Sequence, residues 1–190
     1  MNHLQSVAIA APETRPLAAR IGAAIVGALL VSLAAQVSIL LPGTPVPMTL
    51  QPLAVLIVGG LLGPRFGTLA MVSYLAMGVA GLPVFTPFGA PGLARLFGPT
   101  GGYLLAYPLA AAVTGLLCAR AVNPLQRGLA ALAGLATIHV GGMLQLLVIT
   151  GSATAAFAAG VVPFIAKDLV NLLVVTLVVH RFQPSTRALN

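Results

Sequence analysis

Apolar stretches long enough to cross a membrane follow one another along almost the whole chain. A helix needs about 20 apolar residues to cover the hydrocarbon core, within a range of about 17 to 25. Candidate stretches lie at residues 18–41, 48–63, 66–82, 101–121, 128–150 and 161–180. Only 6% of the residues are charged, against about 25% in soluble domains. The sequence therefore predicts an all-α fold, a polytopic membrane bundle of six transmembrane helices.

The second stretch is the least regular of these. Residues 48–63 are few for a crossing and include Gln51 and Pro52. Irregular backbone at membrane depth is tolerated only where protein covers it. We therefore expect this segment to begin as irregular backbone that the rest of the bundle buries.

The arginines predict an orientation, because basic residues in short loops stay on the cytoplasmic side. With the amino terminus inside, most of them fall at cytoplasmic ends of the stretches: Arg15, Arg20, Arg65, Arg120, Arg127, Arg181 and Arg187. Arg95 alone lies in an external loop. Five or seven crossings would put several arginines on the wrong side, so we predict six crossings with both termini in the cytoplasm.

A single membrane domain, residues 17–182, is predicted between two cytoplasmic ends. Residues 1–16, which include Glu13 as a solvated charge, are expected to form a mobile lead. Residues 183–190 are expected to form a short tail. The first stretch is about twice as long as the apolar part of a secretory signal, so we interpret it as a retained helix.

Several functional classes lack their signatures in this sequence. The net charge of +7 comes from scattered arginines, whereas a nucleic-acid surface needs a clustered basic face. The single cysteine, Cys118, offers neither an intramolecular disulfide nor a metal-ligand spacing. No GxxxxGK[ST], HExxH, CxxC or GxSxG motif occurs. We therefore expect no enzymatic activity, no cofactor and no metal, and any ATP-driven step would need another subunit.

Lys167 and Asp168 stand side by side inside the last apolar stretch. Charged groups at membrane depth are costly unless partnered, and they usually mark substrate or ion pathways. The pair lies roughly 10 Å below the outer edge of the stretch, at about 1.5 Å per residue. Because adjacent helical residues point about 100° apart, we expect that the two side chains do not form a good pair on one face and that each needs another partner. Asn171 lies one turn further on and is expected at the edge of the same polar cavity.

Three loops on the same outer side supply further candidate ligand-binding residues. They span residues 42–52, 81–97 and 98–104, and they bring hydrogen-bonding side chains, aromatic rings and glycines that allow close backbone approach. The candidates are Thr49, Gln51, Phe85, Arg95, Gly98, Thr100, Gly101 and Tyr103. Arg95 and Lys167 against Asp168 leave one excess positive charge, which favours a small anion with a polar head.

The sequence resembles the BioY family, the biotin-binding S components of energy-coupling factor (ECF) transporters. Four stretches carry the resemblance: VPMTLQPLAVLIVGGLLGPRFGTLA (46–70), GLPVF (81–85), GPTGGYL (98–104) and PFIAKDL (163–169). The resemblance implies a six-helix bundle in the inner (cytoplasmic) membrane of a bacterial-type cell. It would capture biotin from outside, under the loops after the first and third helices, and import it with a T component and two cytoplasmic ATPase subunits.

The resemblance also implies roles for the candidate residues. Asp168 or Asn171 would accept hydrogen bonds from the ureido ring of biotin, and Tyr103 and Phe85 would form apolar walls. Lys167 or Arg95 would pair with the carboxylate. The family usually has a lysine shortly after the aspartate of the sixth helix, whereas here the lysine comes just before it.

Small residues on the first helix form a small-xxx-small pattern that permits close helix approach. The resemblance implies that this pattern, Ala23 with Gly27 and Ala24 with Ala28, faces the T component. Packing within the chain's own bundle explains the same spacing.

Three alternatives stay open from the residues themselves. The chain would be an S component for another vitamin, such as thiamine or riboflavin, or a structural or assembly subunit whose buried charges lock helices together. An intramembrane enzyme is the least favoured, since no nucleophile and base pair emerges. A proton relay is also disfavoured, because His139 is the one histidine well inside an apolar stretch.

Overall fold

The computed structural model describes residues 16–186, with side chains as far as Gln183. Residues 1–15 of the predicted lead and 187–190 of the predicted tail, including Glu13, Arg15 and Arg187, lie outside these residues. Within them the chain is almost entirely helical. The α-helices are α1 Leu17–Gln36, α2 Gln51–Val79, α3 Gly101–Arg120, α4 Pro124–Thr150, α5 Ala153–Gly160 and α6 Ile165–Thr186.

Short elements connect these helices. Strands β1 (Ser38–Ile39) and β2 (Met48–Thr49) pair antiparallel between α1 and α2. One 3-10 turn, Gly92–Phe97, precedes α3, and another, Val162–Phe164, precedes α6. Five helical stretches of the described chain are long and apolar enough to cross a membrane, with α5 and α6 counted together as Ala153–Gln183. The protein is therefore a multi-pass integral membrane protein.

Helix α2 reverses direction in its middle. Gly63 has a φ of 74° and a ψ of −179°, a left-handed extended conformation that glycine adopts most readily, and Pro64 follows. The Gln51 side chain lies 2.6 Å from the Tyr74 hydroxyl, although a straight helix would separate these residues by about 35 Å. The two halves of α2 therefore pack antiparallel. They correspond to the predicted stretches 48–63 and 66–82.

The helix ends differ from the predicted ones. Helix α1 stops at Gln36, not at residue 41, because Val37 is extended and leads into the strand pair. Helix α4 begins at Pro124, not at residue 128, since the Asn123 side chain caps it by accepting from the Gln126 amide at 2.9 Å. Helix α5 was not predicted, and α6 starts only after the turn at Val162–Phe164. Hydropathy alone does not predict where helix caps and turns interrupt an apolar stretch.

The core lies between α2, α3 and α4. Leu56, Met71, Tyr74 and Ile138 are fully buried there. Helices α2 and α3 approach closely because the facing residues are small: a Cβ at Gly59 would lie 2.7 Å from the Ala111 carbonyl oxygen. Large apolar side chains cover the outside of the bundle, as expected for a surface that faces lipid.

The small residues of α1 pack inside this bundle. Ala24 and Ala28 are buried, and a Cβ at Gly27 would lie 2.9 Å from Val58 Cγ1 of α2. Ala23 is half-buried against the core. In this structure the small-xxx-small pattern therefore serves the contact between α1 and α2, which is the internal-packing alternative.

Candidate ligand-binding site

A cavity of about 540 Å³, including its mouth, lies where the first turns of α2, α3 and α6 meet. Its walls also include the middle of α4 and the loops after α1 and α2. We call this end of the bundle the cavity end. The other end, which holds Arg20, Arg65, Arg120, Arg127 and Arg181, we call the arginine end.

Most of the residues predicted to bind ligand line this cavity. They are Thr49, Gln51, Phe85, Arg95, Thr100, Tyr103, Lys167 and Asp168. Asn171 does not line it but donates to Asp168 Oδ1 from behind, at 3.3 Å. Gly101 is packed against the backbone of Leu96, and the Gly98 carbonyl accepts from the Gly101 amide at 3.0 Å. These two glycines shape the turn into α3 without lining the cavity.

Lys167, Asp168 and His139 form a compact charged cluster in the cavity wall. Lys167 Nζ lies 3.2 Å from Asp168 Oδ1, and His139 Nε2 lies 2.7 Å from Asp168 Oδ2. The expectation that the adjacent pair would not meet is therefore wrong, because the long lysine side chain bends back to its neighbour. The second half of the expectation is confirmed, since Asp168 also contacts His139 and Asn171.

His139 is the main residue that the sequence analysis did not place in the site. It lies on α4, 29 positions before Asp168, and its neighbours in sequence are apolar. When Nε2 donates to the carboxylate, Nδ1 of the neutral ring is an acceptor. Nδ1 is buried and has no hydrogen-bond partner among the described residues. The one available signal was a histidine inside a membrane span, which by default suggests a functional site.

A chain of hydrogen bonds leads from Lys167 to the buried half of α2. Lys167 Nζ donates to the Thr49 carbonyl at 3.3 Å, and the Thr49 hydroxyl donates to Gln51 Oε1 at 3.2 Å. Gln51 Nε2 donates in turn to the Tyr74 hydroxyl at 2.6 Å. The charged cluster thus fixes strand β2 and the start of α2 against α6. The second apolar stretch was predicted to begin with irregular, buried backbone. In the structure this segment is buried and is held by side-chain hydrogen bonds.

Aromatic side chains form much of the remaining wall. Phe85 packs edge-on against Tyr74, with ring centroids 5.5 Å apart. The Tyr103 hydroxyl donates to the Gly160 carbonyl at 2.7 Å, so Tyr103 offers the cavity its ring. Tyr107 and Phe164 line the cavity although they were not among the predicted residues. The cavity is therefore apolar apart from a few polar groups, as small-molecule sites usually are.

Arg95 reaches the cavity from the 3-10 turn before α3. Only 6% of its surface is exposed, and burial lowers the pKa of Arg95 from its ordinary value. A guanidinium nonetheless stays protonated at neutral pH. Its nitrogen atoms donate to the loop after α2, at Thr86, Phe88 and Ala90. Arg95 is thus engaged by the protein and is not a free cation in the cavity.

The sequence model of the BioY family matches residues 5–188. The chain belongs to the BioY family. The resemblance drawn from the four sequence stretches is thereby confirmed.

Individual BioY proteins are similar over most of their length. The chain is 38% identical over 157 residues to the "Probable biotin transporter BioY" of Pyrococcus horikoshii, covering 83% of this chain and 91% of that protein. It is 39% identical over 143 residues to the "Biotin transporter BioY" of Thermotoga maritima, covering 75% and 84%. These relatives are named as transporters, which agrees with the expectation that the chain is not an enzyme.

A solved structure shares the fold. It is a crystal structure of "the S-component for biotin from an ECF-type ABC transporter", with a TM-score of 0.79 and 24% sequence identity. The match covers 88% of this chain and 92% of that chain. The helical architecture described above is therefore that of an ECF S component.

Proposed function

We propose that this chain captures biotin on the outer side of the membrane and takes it up as the S component of an ECF-type transporter. The observation that carries the proposal is the cluster of Lys167, Asp168 and His139 in the wall of a largely apolar cavity. Membership of the BioY family and the names of its relatives support biotin as the substrate.

The ureido ring of biotin suits the polar cluster. A carboxylate has about four lone-pair positions, and Asp168 receives described donors from His139, Lys167 and Asn171. One position remains for an N–H group of the ring. We propose that Asp168 accepts this hydrogen bond and that Lys167 donates to the ureido carbonyl. Phe85 and Tyr103 would cover the sulfur-containing ring and the aliphatic chain.

The carboxylate of biotin then lies toward the mouth of the cavity, because one charge pair cannot hold both ends of the molecule. Thr100 and the first turn of α3 line the cavity and would receive this carboxylate. A helix amino terminus carries partial positive charge and unpaired amide groups, which favour an anion. Arg95 adds positive potential nearby without needing to touch the ligand.

The topology is part of the same proposal. Each half of α2 would cross the membrane separately, which gives six crossings with both termini in the cytoplasm of a bacterial-type cell. The arginine end supports this orientation, since basic residues stay inside. A membrane domain of residues 17–182 would stand between a cytoplasmic lead, residues 1–16, and a tail, residues 183–190. The cavity would then open to the outside.

We further propose that the chain works with a T component and two cytoplasmic ATPase subunits. The fold of an ECF S component supports this assembly. Of the predicted interface residues, Ala23 is half-buried, whereas Ala24, Gly27 and Ala28 pack against α2. A contact through these three would require α1 to move away from α2. Biotin would be the transported substrate, and no cofactor is proposed.

Equilibrium binding of biotin to the purified chain in detergent or nanodiscs tests the proposal. Thiamine and riboflavin serve as competitors. Tight biotin binding that neither competitor displaces supports the proposed substrate, and displacement by one of them points to another vitamin. Absence of binding to any of the three by a well-folded chain would contradict the transport function and favour a structural subunit.

A further inference from the structure

Arg95 lies between two cavities at the cavity end. It lines the ligand cavity and also a second cavity of about 570 Å³. Pro45 of the loop after α1, together with Phe88 and Ala90 of the loop after α2, lines only the second cavity, whereas Thr86 lines only the first. The segment of residues 86–90 therefore forms part of the partition between them.

The guanidinium of Arg95 holds this segment by four hydrogen bonds. Nε donates to the Ala90 carbonyl at 2.8 Å, and Nη2 to the Thr86 carbonyl at 2.8 Å. Nη1 donates to the Thr86 hydroxyl at 2.9 Å and also to the Phe88 carbonyl. A guanidinium has five N–H groups in a rigid fork, so one remains for any other partner. The positive charge is therefore already surrounded by acceptors of the protein.

The segment has little else to fix its shape. Among the described residues, no backbone–backbone hydrogen bond joins residues 86–90 to a neighbouring element. Gly89 has a φ of 98°, and a Cβ there would lie 2.8 Å from Arg95 Nη1. Glycine is thus required both by the backbone conformation and by the approach of the guanidinium. The segment is folded around the side chain of Arg95.

We propose that Arg95 is a positioning residue, which keeps residues 86–90 closed over the ligand cavity and thereby sets how long the ligand stays bound. It acts through the loop and not as the partner of the ligand carboxylate. This inference rests on the proposed function only for the identity of the ligand. The hydrogen bonds of Arg95 that support it are present without any ligand.

Two substitutions of Arg95 distinguish a role in positioning the loop from a role in pairing with the ligand carboxylate. Arg95→Lys keeps the positive charge but loses the fork, and Arg95→Gln loses both. Thr86→Val removes one acceptor of the fork and also the hydrogen bond from the Thr86 hydroxyl to the Phe88 carbonyl. Arg181→Lys is a matched control at an exposed arginine of the arginine end. Chymotrypsin cleavage of ligand-free protein after Phe88 should become about tenfold faster or more in both Arg95 variants, and less so in Thr86→Val. Cleavage after Phe157 of α5 should stay unchanged.

Dissociation rates of biotin and of the neutral analogue biotinamide provide the second measurement. Both Arg95 variants should release each ligand about tenfold faster, and the affinity ratio of biotin to biotinamide should stay that of the parent chain. If Arg95 paired with the carboxylate, Arg95→Lys would retain binding and Arg95→Gln would lose the preference for biotin. Either of those results, or unchanged cleavage after Phe88, would overturn the inference.

The cleavage measurement needs no ligand, so it distinguishes this inference from the proposed function. Faster cleavage after Phe88 in a chain that binds no biotin would leave the loop contact standing and refute biotin as the ligand. If an Arg95 variant does not fold, Thr86→Val still weakens the contact of Arg95 with the segment and should give a smaller effect.

Discussion

Two polar clusters lie at opposite ends of the bundle, and they differ in what they face. At the cavity end, Asp168, Lys167 and His139 line a cavity that opens at the end of the bundle. At the arginine end, Arg127 donates to Gln183 Oε1 at 3.0 Å and contacts His180 at 2.9 Å, while Gln183 donates to the Cys118 carbonyl at 2.8 Å. Both clusters place costly groups in an apolar bundle.

The difference teaches that similar residues have different functions according to the space around them. Arg127 and Gln183 are buried and satisfy one another across α3, α4 and α6, so their hydrogen bonds hold helices together. In the cavity cluster, His139 Nδ1 lacks a described partner and Asp168 has room for another donor. We therefore expect substitutions at the cavity end to affect binding and those at the arginine end to affect stability.

The largest effect is expected for Asp168→Asn. The variant loses the negative charge that Lys167 and His139 surround, and it loses the proposed acceptor for the ureido ring. Removing one member of a buried charged pair typically costs about 2–5 kcal/mol of binding energy, so biotin affinity should fall by about 100-fold. Isothermal titration calorimetry measures this effect. An unchanged affinity in a folded variant would remove Asp168 from the site.

Arg127→Met should show the reverse pattern. The loss of the hydrogen bonds to Gln183 and His180 should lower the free energy of unfolding by about 3–6 kcal/mol, because hydrogen bonds to charged groups contribute about 1.5–3 kcal/mol each. Unfolding in mixed micelles measures the change. Biotin affinity of the folded fraction should stay within about threefold of the parent chain. A large loss of affinity without loss of stability would contradict the comparison.

His139→Phe should weaken biotin binding by about tenfold, since Asp168 loses its shortest hydrogen bond while Lys167 and Asn171 remain. His139→Gln, which can still donate to the carboxylate, should recover much of this loss. Affinities of both variants, measured beside thermal stability, test the expectation. Equal losses in the two variants would show that hydrogen bonding to Asp168 is not what His139 contributes.

The smallest effect is expected for Asn171→Leu. Asn171 does not line the cavity, and it contacts Asp168 at 3.3 Å beside two nearer partners. We expect biotin affinity to fall by about threefold. Competition binding with labelled biotin resolves a change of this size. A loss as large as that of Asp168→Asn would instead place Asn171 in direct contact with the ligand.

The sequence by itself determined the class of the protein and much of its site. The length of the apolar stretches requires a membrane bundle, and the cost of a buried charge singled out Lys167 and Asp168. Both are local properties, because they depend on which residues follow one another. Thr49, Gln51 and Tyr103 could be predicted for the same reason, since they lie at or just before the starts of helices on the side of that charge.

Only the tertiary structure decided which distant residues meet. His139 reaches Asp168 because α4 packs beside α6, and Gln51 reaches Tyr74 because α2 reverses at Gly63. The sequence analysis offered Arg95 as a partner for the ligand carboxylate, yet the folded loop after α2 surrounds its guanidinium with acceptors. Hydropathy and residue spacing reflect the free energy of transferring side chains from water into an apolar environment. The pairing of side chains depends instead on how helices and loops pack, which no single stretch of sequence contains.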